Sequence, residues 1–141
     1  MLEKSADRLQ CELAPRMLVT QLGARRHYLV PATFHAHGLL DRFVTDLYLG
    51  ETATSRALQG LSRRLPIAGL RRLSGRRDAS LPSQYVTSFP RMGVEYKLRA
   101  RLAARRGELT KAWLWAGREF GRRICGESWG QIQAVYCYSS A

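Results

Sequence analysis

The stretch MLVTQLG at residues 17–23 decides the fold of this chain. It is a short apolar run with a β-branched centre, and Gly23 ends it. Strands of parallel sheets, which helices cover on both faces, have this near-continuous apolar pattern. A polar loop follows, and then Pro31, which is tolerated in the first turn of a helix, and Gly38, which favours a helix end. The stretch therefore predicts a buried strand, a tight polar loop and a helix over about 30–37.

Strand and helix patterns continue to alternate after this unit. Further strands are predicted at 43–48, 84–89 and 134–138, and helices at 54–64, 90–106 and 110–125. Such alternation implies an α/β fold with a parallel sheet between two layers of helices. The natural arrangement is a Rossmann-like sheet with strand order 3-2-1-4. In the helix at 90–106, the predicted apolar stripe consists of Met92, Tyr96, Leu98, Leu102 and Ala103.

Length and composition suggest one domain with an extension. The chain has 141 residues, the size of a single domain. Residues 1–16 are mixed and charged, and we expect them to be a poorly ordered extension or a loosely docked helix. The domain then spans 17–141 and ends on a strand that no helix follows. We therefore expect it to be incomplete or to need a partner.

The strongest compositional feature is a net charge of +12, nearly all of it from arginine. Such a charge favours anionic partners, namely nucleic acid, anionic lipid or phosphorylated ligands, although a bias toward arginine codons is an alternative. Residues 63–77 combine arginines with apolar residues at helical spacing, which suits an anionic membrane surface or simply a solvated loop. Nucleic acid is a weaker prediction because no stacking platform or zinc finger is present.

Cysteine and histidine patterns predict neither metal nor cofactor. The three cysteines are widely spaced and form no metal-binding motif. They favour a reducing, cytoplasmic setting. The positive charge further predicts that the protein could attach to the inner face of the membrane. His35 and His37 point to nearly opposite sides of a helix and cannot ligate one ion together.

The predicted topology places a crevice between strands 1 and 4, at their carboxyl ends, where ligands bind in open α/β sheets. Gly23 lets the backbone approach a ligand, Arg25 offers a forked donor for carboxylate or phosphate, and His27 donates a hydrogen bond or carries a proton. Asp46 follows strand 2 and either binds a hydroxyl-rich ligand or pairs with an arginine. Ser139 follows strand 4. A structural turn with solvated arginines is the alternative, and the dinucleotide fingerprint G-x-G-x-x-G is absent.

The chain resembles the opening of bacterial glycosyltransferases of the two-domain GT-B fold, in the retaining, family-four class. The resemblance is carried by MLVTQLGARRHYLVP at 17–31 and continues in 38–46, 89–96, 115–120 and 135–141. It implies that the chain is the N-terminal, acceptor-side domain, with Gly23, Arg25 and His27 near the acceptor or the donor phosphates. No metal is implied by the fold.

The carboxylate motif of the donor-binding domain has no counterpart in these residues. The resemblance therefore predicts a domain that does not transfer sugar alone, as a fragment, a remnant or half of a split enzyme. Nucleotide-sugar and acceptor are its expected ligands only when a C-terminal domain completes it. The alternative function is a basic module that binds anionic membrane or nucleic acid.

Overall fold

A computed structural model describes residues 15–23, 28–50, 76 and 78–138. Its elements, in chain order, are β1 (Met17–Gln21), α1 (Leu29–Ala36), β2 (Leu40–Thr45), a 3₁₀ turn (Ser83–Tyr85), β3 (Val86–Ser88), α2 (Pro90–Ala104), α3 (Leu109–Cys125) and β4 (Ala134–Tyr138). The helix predicted at 54–64 and most of the extension at 1–16 lie outside the described residues.

The four strands form one parallel sheet in the order β3-β2-β1-β4. This arrangement confirms the predicted α/β class and strand order. β1 lies inside the sheet, where Val19 is in register with Phe43 of β2 and with Tyr136 of β4. The last four residues of β1 are buried, as expected for a strand covered on both faces.

Two apolar clusters lie on opposite faces of the sheet. The cluster under α1 contains Val19, Tyr28, Leu40, Phe43, Tyr48 and Leu81. The cluster under α2 and α3 contains Leu18, Val44, Met92, Ala116 and Phe120. Because successive strand residues point to opposite faces, Leu18 and Val19 belong to different clusters. The described domain is therefore a three-layer α/β/α sandwich, consistent with a Rossmann-like fold.

The second strand is shifted by three residues toward the N-terminus relative to its predicted bounds, and the third strand is shorter than predicted. β2 ends at Thr45 rather than at Tyr48. The Tyr48 ring turns into the cluster under α1, where its hydroxyl donates a hydrogen bond to the Leu81 carbonyl oxygen at 2.7 Å. β3 covers only 86–88, since the preceding residues form the 3₁₀ turn. Tyr48 therefore contributes to the core through its side chain rather than to the β2 ladder.

The apolar stripe predicted for α2 is partly wrong. Met92 is buried, but Leu98 and Leu102 are 55% and 60% exposed. The helix turns Gly93 toward the sheet instead, and a Cβ at Gly93 would lie only 2.9 Å from the Asp46 carbonyl oxygen. This close approach of helix and strand backbones sets the rotation of α2 and leaves both leucines on its outer face.

No helix in the described residues is long and apolar enough to cross a membrane.

Candidate functional site

Polar side chains are buried at the carboxyl ends of β1 and β2. Thr20 and Gln21 end β1, Thr45 ends β2 and Asp46 follows it, all with relative exposures of 5% or less. Gln21 is in register with Thr45, so these ends are adjacent. The residues directly before them, Val19 in β1 and Val44 in β2, are fully buried and apolar. The sheet therefore changes from apolar to polar toward the edge where ligands bind in α/β folds.

The Asp46 carboxylate is the centre of this polar edge. It forms an ion pair with Arg76, in which the guanidinium nitrogen lies 2.9 Å from one carboxylate oxygen and 3.0 Å from the other. The two side chains are only 1% and 9% exposed. Asp46 also accepts hydrogen bonds from the Gly23 amide at 2.9 Å and the Thr45 hydroxyl at 3.2 Å. A buried carboxylate needs such compensation because its desolvation is costly.

This network fixes the turn that follows β1. Gly23 has φ of +89°, a left-handed conformation that favours glycine. Its amide donates to Asp46, and its carbonyl oxygen accepts a hydrogen bond from the Gln21 side chain at 2.8 Å. Both polar groups of the Gly23 backbone are thus held by buried side chains, so the chain leaves β1 in one defined direction.

Tyr28 anchors the other end of the same connection. It adopts φ of 62° and is fully buried, with its ring in edge contact with Phe43 at 5.3 Å and Tyr48 at 5.5 Å. The Tyr28 hydroxyl donates to the Leu47 carbonyl oxygen at 3.0 Å. Burial raises the pKa of this hydroxyl above its ordinary value of 10.0. Residues 24–27 therefore connect two anchored residues.

α2 begins at the same edge of the sheet. The Phe89 amide, just before the helix, donates to the Thr45 carbonyl oxygen at 3.1 Å. Gly93, in the first turn, rests on the backbone of Asp46. The first amides of a helix carry partial positive charge. The site edge therefore combines a buried ion pair, a glycine turn and a helix start.

The structure places some of the predicted site residues and leaves others outside the described residues. Gly23 and Asp46 are brought together, and the interpretation of Asp46 as the partner of an arginine agrees with the observed ion pair. Arg25, His27 and Ser139 lie outside the described residues. At the neighbouring strand, Tyr138 is in register with Gln21, so the carboxyl ends of β1 and β4 are adjacent, as the predicted crevice requires.

Sequence reasoning missed Arg76 as part of the site. In the sequence, Arg76 is one of several arginines in the basic segment 63–77, and the pattern predicts no partner for it. The available signal was Asp46 itself, an acid directly after an apolar strand, which must be neutralised if it is buried. Nothing in the pattern distinguishes Arg76 from its neighbours, because the pair joins residues thirty positions apart.

A second polar region lies at the opposite, amino edge of the sheet. It is a shallow cavity of about 420 Å³ whose lining includes Arg16, Asp41, Arg42, Glu127 and Trp129. The Trp129 indole donates to the Ile124 carbonyl oxygen at 2.7 Å, which makes it part of the packing below α3. The amino edge is not where ligands bind in open parallel sheets.

Metal ligation has no support in the described part of the chain, which contains no group of three or more histidine, cysteine or acidic side chains able to hold an ion. His35 contacts the Tyr85 ring, with centroids 4.6 Å apart.

No family model, no curated protein sequence and no solved structure matches this chain.

Proposed function

We propose that this chain forms the acceptor side of a sugar-transfer cleft, as the N-terminal-type domain of a GT-B glycosyltransferase that uses a nucleotide-sugar donor. The observation that supports this most is the buried polar edge at the carboxyl ends of β1 and β2. There Asp46 and Arg76 hold the Gly23 turn beside the junction of β1 and β4. That junction is the point where the strand order reverses, which is where ligands bind in such sheets.

Two features favour a hydroxyl-rich ligand over a dinucleotide at this edge. The first turn lacks the G-x-G-x-x-G pattern that lets a pyrophosphate approach the helix start. The connection at 24–27 instead contains Arg25 and His27, whose side chains can donate hydrogen bonds to hydroxyl groups. Their neighbours Gly23 and Tyr28 are both anchored. A ligand bound at this connection would lie between two residues, Gly23 and Tyr28, that hydrogen bonds already hold in place.

The proposal assigns donor binding to a second α/β domain. Asp46 is engaged by Gly23, Thr45 and Arg76 and is 1% exposed, so it serves the turn rather than a donor sugar. We therefore expect the 141-residue chain to bind acceptor without transferring sugar.

The test is binding of the purified chain to an array of immobilised saccharides and glycolipids, together with a turnover assay with nucleotide-sugars. Binding should be lost in Arg25→Gln and His27→Ala. It should persist in Arg42→Gln, which removes the same charge at the amino edge of the sheet. Equal binding by all four proteins would contradict the site, and sugar transfer by the chain alone would contradict the assignment of donor binding to another domain.

The alternative function is a basic module that binds anionic membrane or nucleic acid, peripheral to the inner face of the membrane in the first case. The net charge of +12 supports it. Binding to duplex DNA or RNA that weakens steeply as salt is raised would favour the nucleic-acid form.

A further inference from the structure

The outer face of α2 is apolar where a surface helix is usually polar. Val94, Leu98 and Leu102 are 54%, 55% and 60% exposed. They recur at intervals of four residues, so they form one stripe along the helix. Their separation in sequence corresponds to about 12 Å along the helix axis. No described element covers this stripe.

Arginines share that face with the apolar residues. Arg91, Arg101 and Arg105 lie at helical spacing from Val94 and Leu98 and are exposed. The result is a face on which aliphatic and guanidinium groups alternate, rather than one divided into an apolar and a charged half. Long arginine side chains place their charge beyond the level of neighbouring leucines while their stems remain against the surface.

The acidic side chains of α2 and α3 do not neutralise this face. Glu95 is paired with Arg99 at 2.7 Å, Glu108 with Lys111 at 2.6 Å, and Glu119 with both Arg122 and Arg123. Residues 90–125 contain ten basic and three acidic side chains, so the two helices carry more than half of the net charge of the chain. Within the described residues, Arg91, Arg101 and Arg105 form no ion pair.

The neighbouring helix extends the same composition. Leu114 of α3 is 45% exposed, and Arg118 is also exposed. α3 is fixed beside α2 by packing and by the Arg99 guanidinium, which lies 4.2 Å from the centre of the Trp115 ring. The two helices therefore present one rigid layer to the outside.

We propose that the outer face of α2, with Leu114 and Arg118 of α3, docks on an anionic lipid surface. Apolar side chains that alternate with arginines match the boundary between acyl chains and anionic headgroups, where both groups are satisfied at the same depth. Charge complementarity selects the anionic leaflet, and the exposed aliphatic groups supply the contact that charge alone does not. The docking is independent of sugar transfer.

The exposed aliphatic side chains on the outer face of α2 favour lipid over nucleic acid as its partner. A phosphate backbone needs basic side chains, and exposed bases need aromatic or guanidinium planes to stack on. Val94, Leu98 and Leu102 carry no positive charge and have no planar group for stacking, so nucleic-acid binding does not explain why they are exposed. On a bilayer the same three side chains are buried, which is the expected fate of exposed apolar surface.

The experiment is co-sedimentation of the full chain with vesicles of phosphatidylcholine alone and of phosphatidylcholine mixed with phosphatidylserine. We expect partition into the mixed vesicles only. Each arginine is expected to contribute roughly fivefold to the partition coefficient, so Arg101→Gln with Arg105→Gln should lower it by more than about tenfold. Leu98→Ser with Leu102→Ser should lower it by a similar factor, since apolar burial contributes to the same binding.

Two matched controls make the test specific. Arg16→Gln with Arg42→Gln removes the same charge at the amino edge of the sheet, and Leu29→Ser removes a leucine that is 59% exposed on the α1 side. Both should keep vesicle binding, with melting temperatures recorded for every variant. Equal losses in the test and control variants, equal binding to pure phosphatidylcholine, or binding by the chain to RNA or DNA but not to vesicles would each overturn the proposal.

Discussion

Arg76 and the arginines of the outer α2 face show two opposite uses of the same side chain. Arg76 is buried, and both oxygens of the Asp46 carboxylate lie within 3.0 Å of its terminal nitrogen. Arg101 and Arg105 are exposed, with no carboxylate partner in the described residues. A buried guanidinium must be matched by a carboxylate, whereas an exposed one is hydrated and remains available to an outside anion. Burial, not residue type, therefore decides which of these arginines hold the fold and which remain available to an outside anion.

The largest expected effect comes from breaking the buried pair. Asp46→Ala leaves the Arg76 guanidinium without its counter-charge and the Gly23 amide without its acceptor, and it should lower the free energy of unfolding by about 3–5 kcal/mol. Chemical denaturation measures the change. Asp41→Ala is the matched control, because Asp41 pairs with the exposed Arg16 at 3.6 Å. Its cost should stay below about 1 kcal/mol. Equal costs would mean that the buried network does not stabilise the carboxyl edge.

A smaller effect is expected where α2 approaches Asp46. In Gly93→Ala the new Cβ would lie 2.9 Å from the Asp46 carbonyl oxygen, which belongs to the backbone and cannot swing away. We expect a destabilisation of about 1–3 kcal/mol. In Gly117→Ala of α3 the Cβ meets nothing within 4 Å, so the better helix propensity of alanine should leave stability unchanged or raised by up to about 1 kcal/mol. Melting curves that shift in the same direction would contradict this packing.

Tyr28→Phe tests the second anchor of the connection at 24–27. It removes the hydrogen bond to the Leu47 carbonyl oxygen and should cost about 1–2 kcal/mol. The raised pKa of Tyr28 adds a pH signature, because the folded state binds the proton more tightly than the unfolded state. The stability that the protonated Tyr28 hydroxyl contributes to the folded state is fully present below pH 10.0 and is lost as pH rises above that value. Denaturation at increasing pH should show a steeper loss for the parent chain than for the variant.

The smallest effect is expected at Glu119 of α3, which pairs with two arginines of the same helix. Hydrogen bonds from Arg122 and Arg123 lower the pKa of the Glu119 carboxyl from 4.5 to about 2. Because the pKa of the Glu119 carboxyl is lower in the folded state than in the unfolded state, the ionised carboxylate stabilises the folded state above pH 4.5. This stabilisation is lost as pH falls toward 2. In Glu119→Gln the melting temperature should fall slightly less steeply as pH is lowered across that range, as measured by thermal melting. An unchanged slope would mean that the contact is as loose as most surface pairs.

The sheet was largely predictable from local patterns. The run at 17–22 has an apolar sequence that only a strand covered on both faces can bury, and β1 indeed lies inside the sheet. The strand at 134–138 was predicted with its observed bounds. Alternating strands and helices, combined with right-handed crossovers, restrict the topology, which is why the order 3-2-1-4 was predicted correctly.

The candidate site was predictable only in part. Gly23 and Asp46 follow apolar strands, and parallel strands end at one edge, so their proximity follows from topology. Their direct hydrogen bond and the choice of Arg76 do not follow, because the basic segment offers several equivalent arginines. The α2 stripe failed for a related reason. Periodicity places Leu98 and Leu102 on one face but does not say which face turns toward the sheet.

The sequence by itself determined the parallel α/β architecture, because the pattern of apolar residues along each strand and helix is local and has few solutions. It also determined that the chain carries an excess of arginine. Only the tertiary structure decided that Arg76 is buried and which face of α2 remains outside. Both depend on close contacts between distant segments, the Asp46–Arg76 pair and the seat of Gly93 on the Asp46 backbone, and packing at these distances is not encoded in any local pattern.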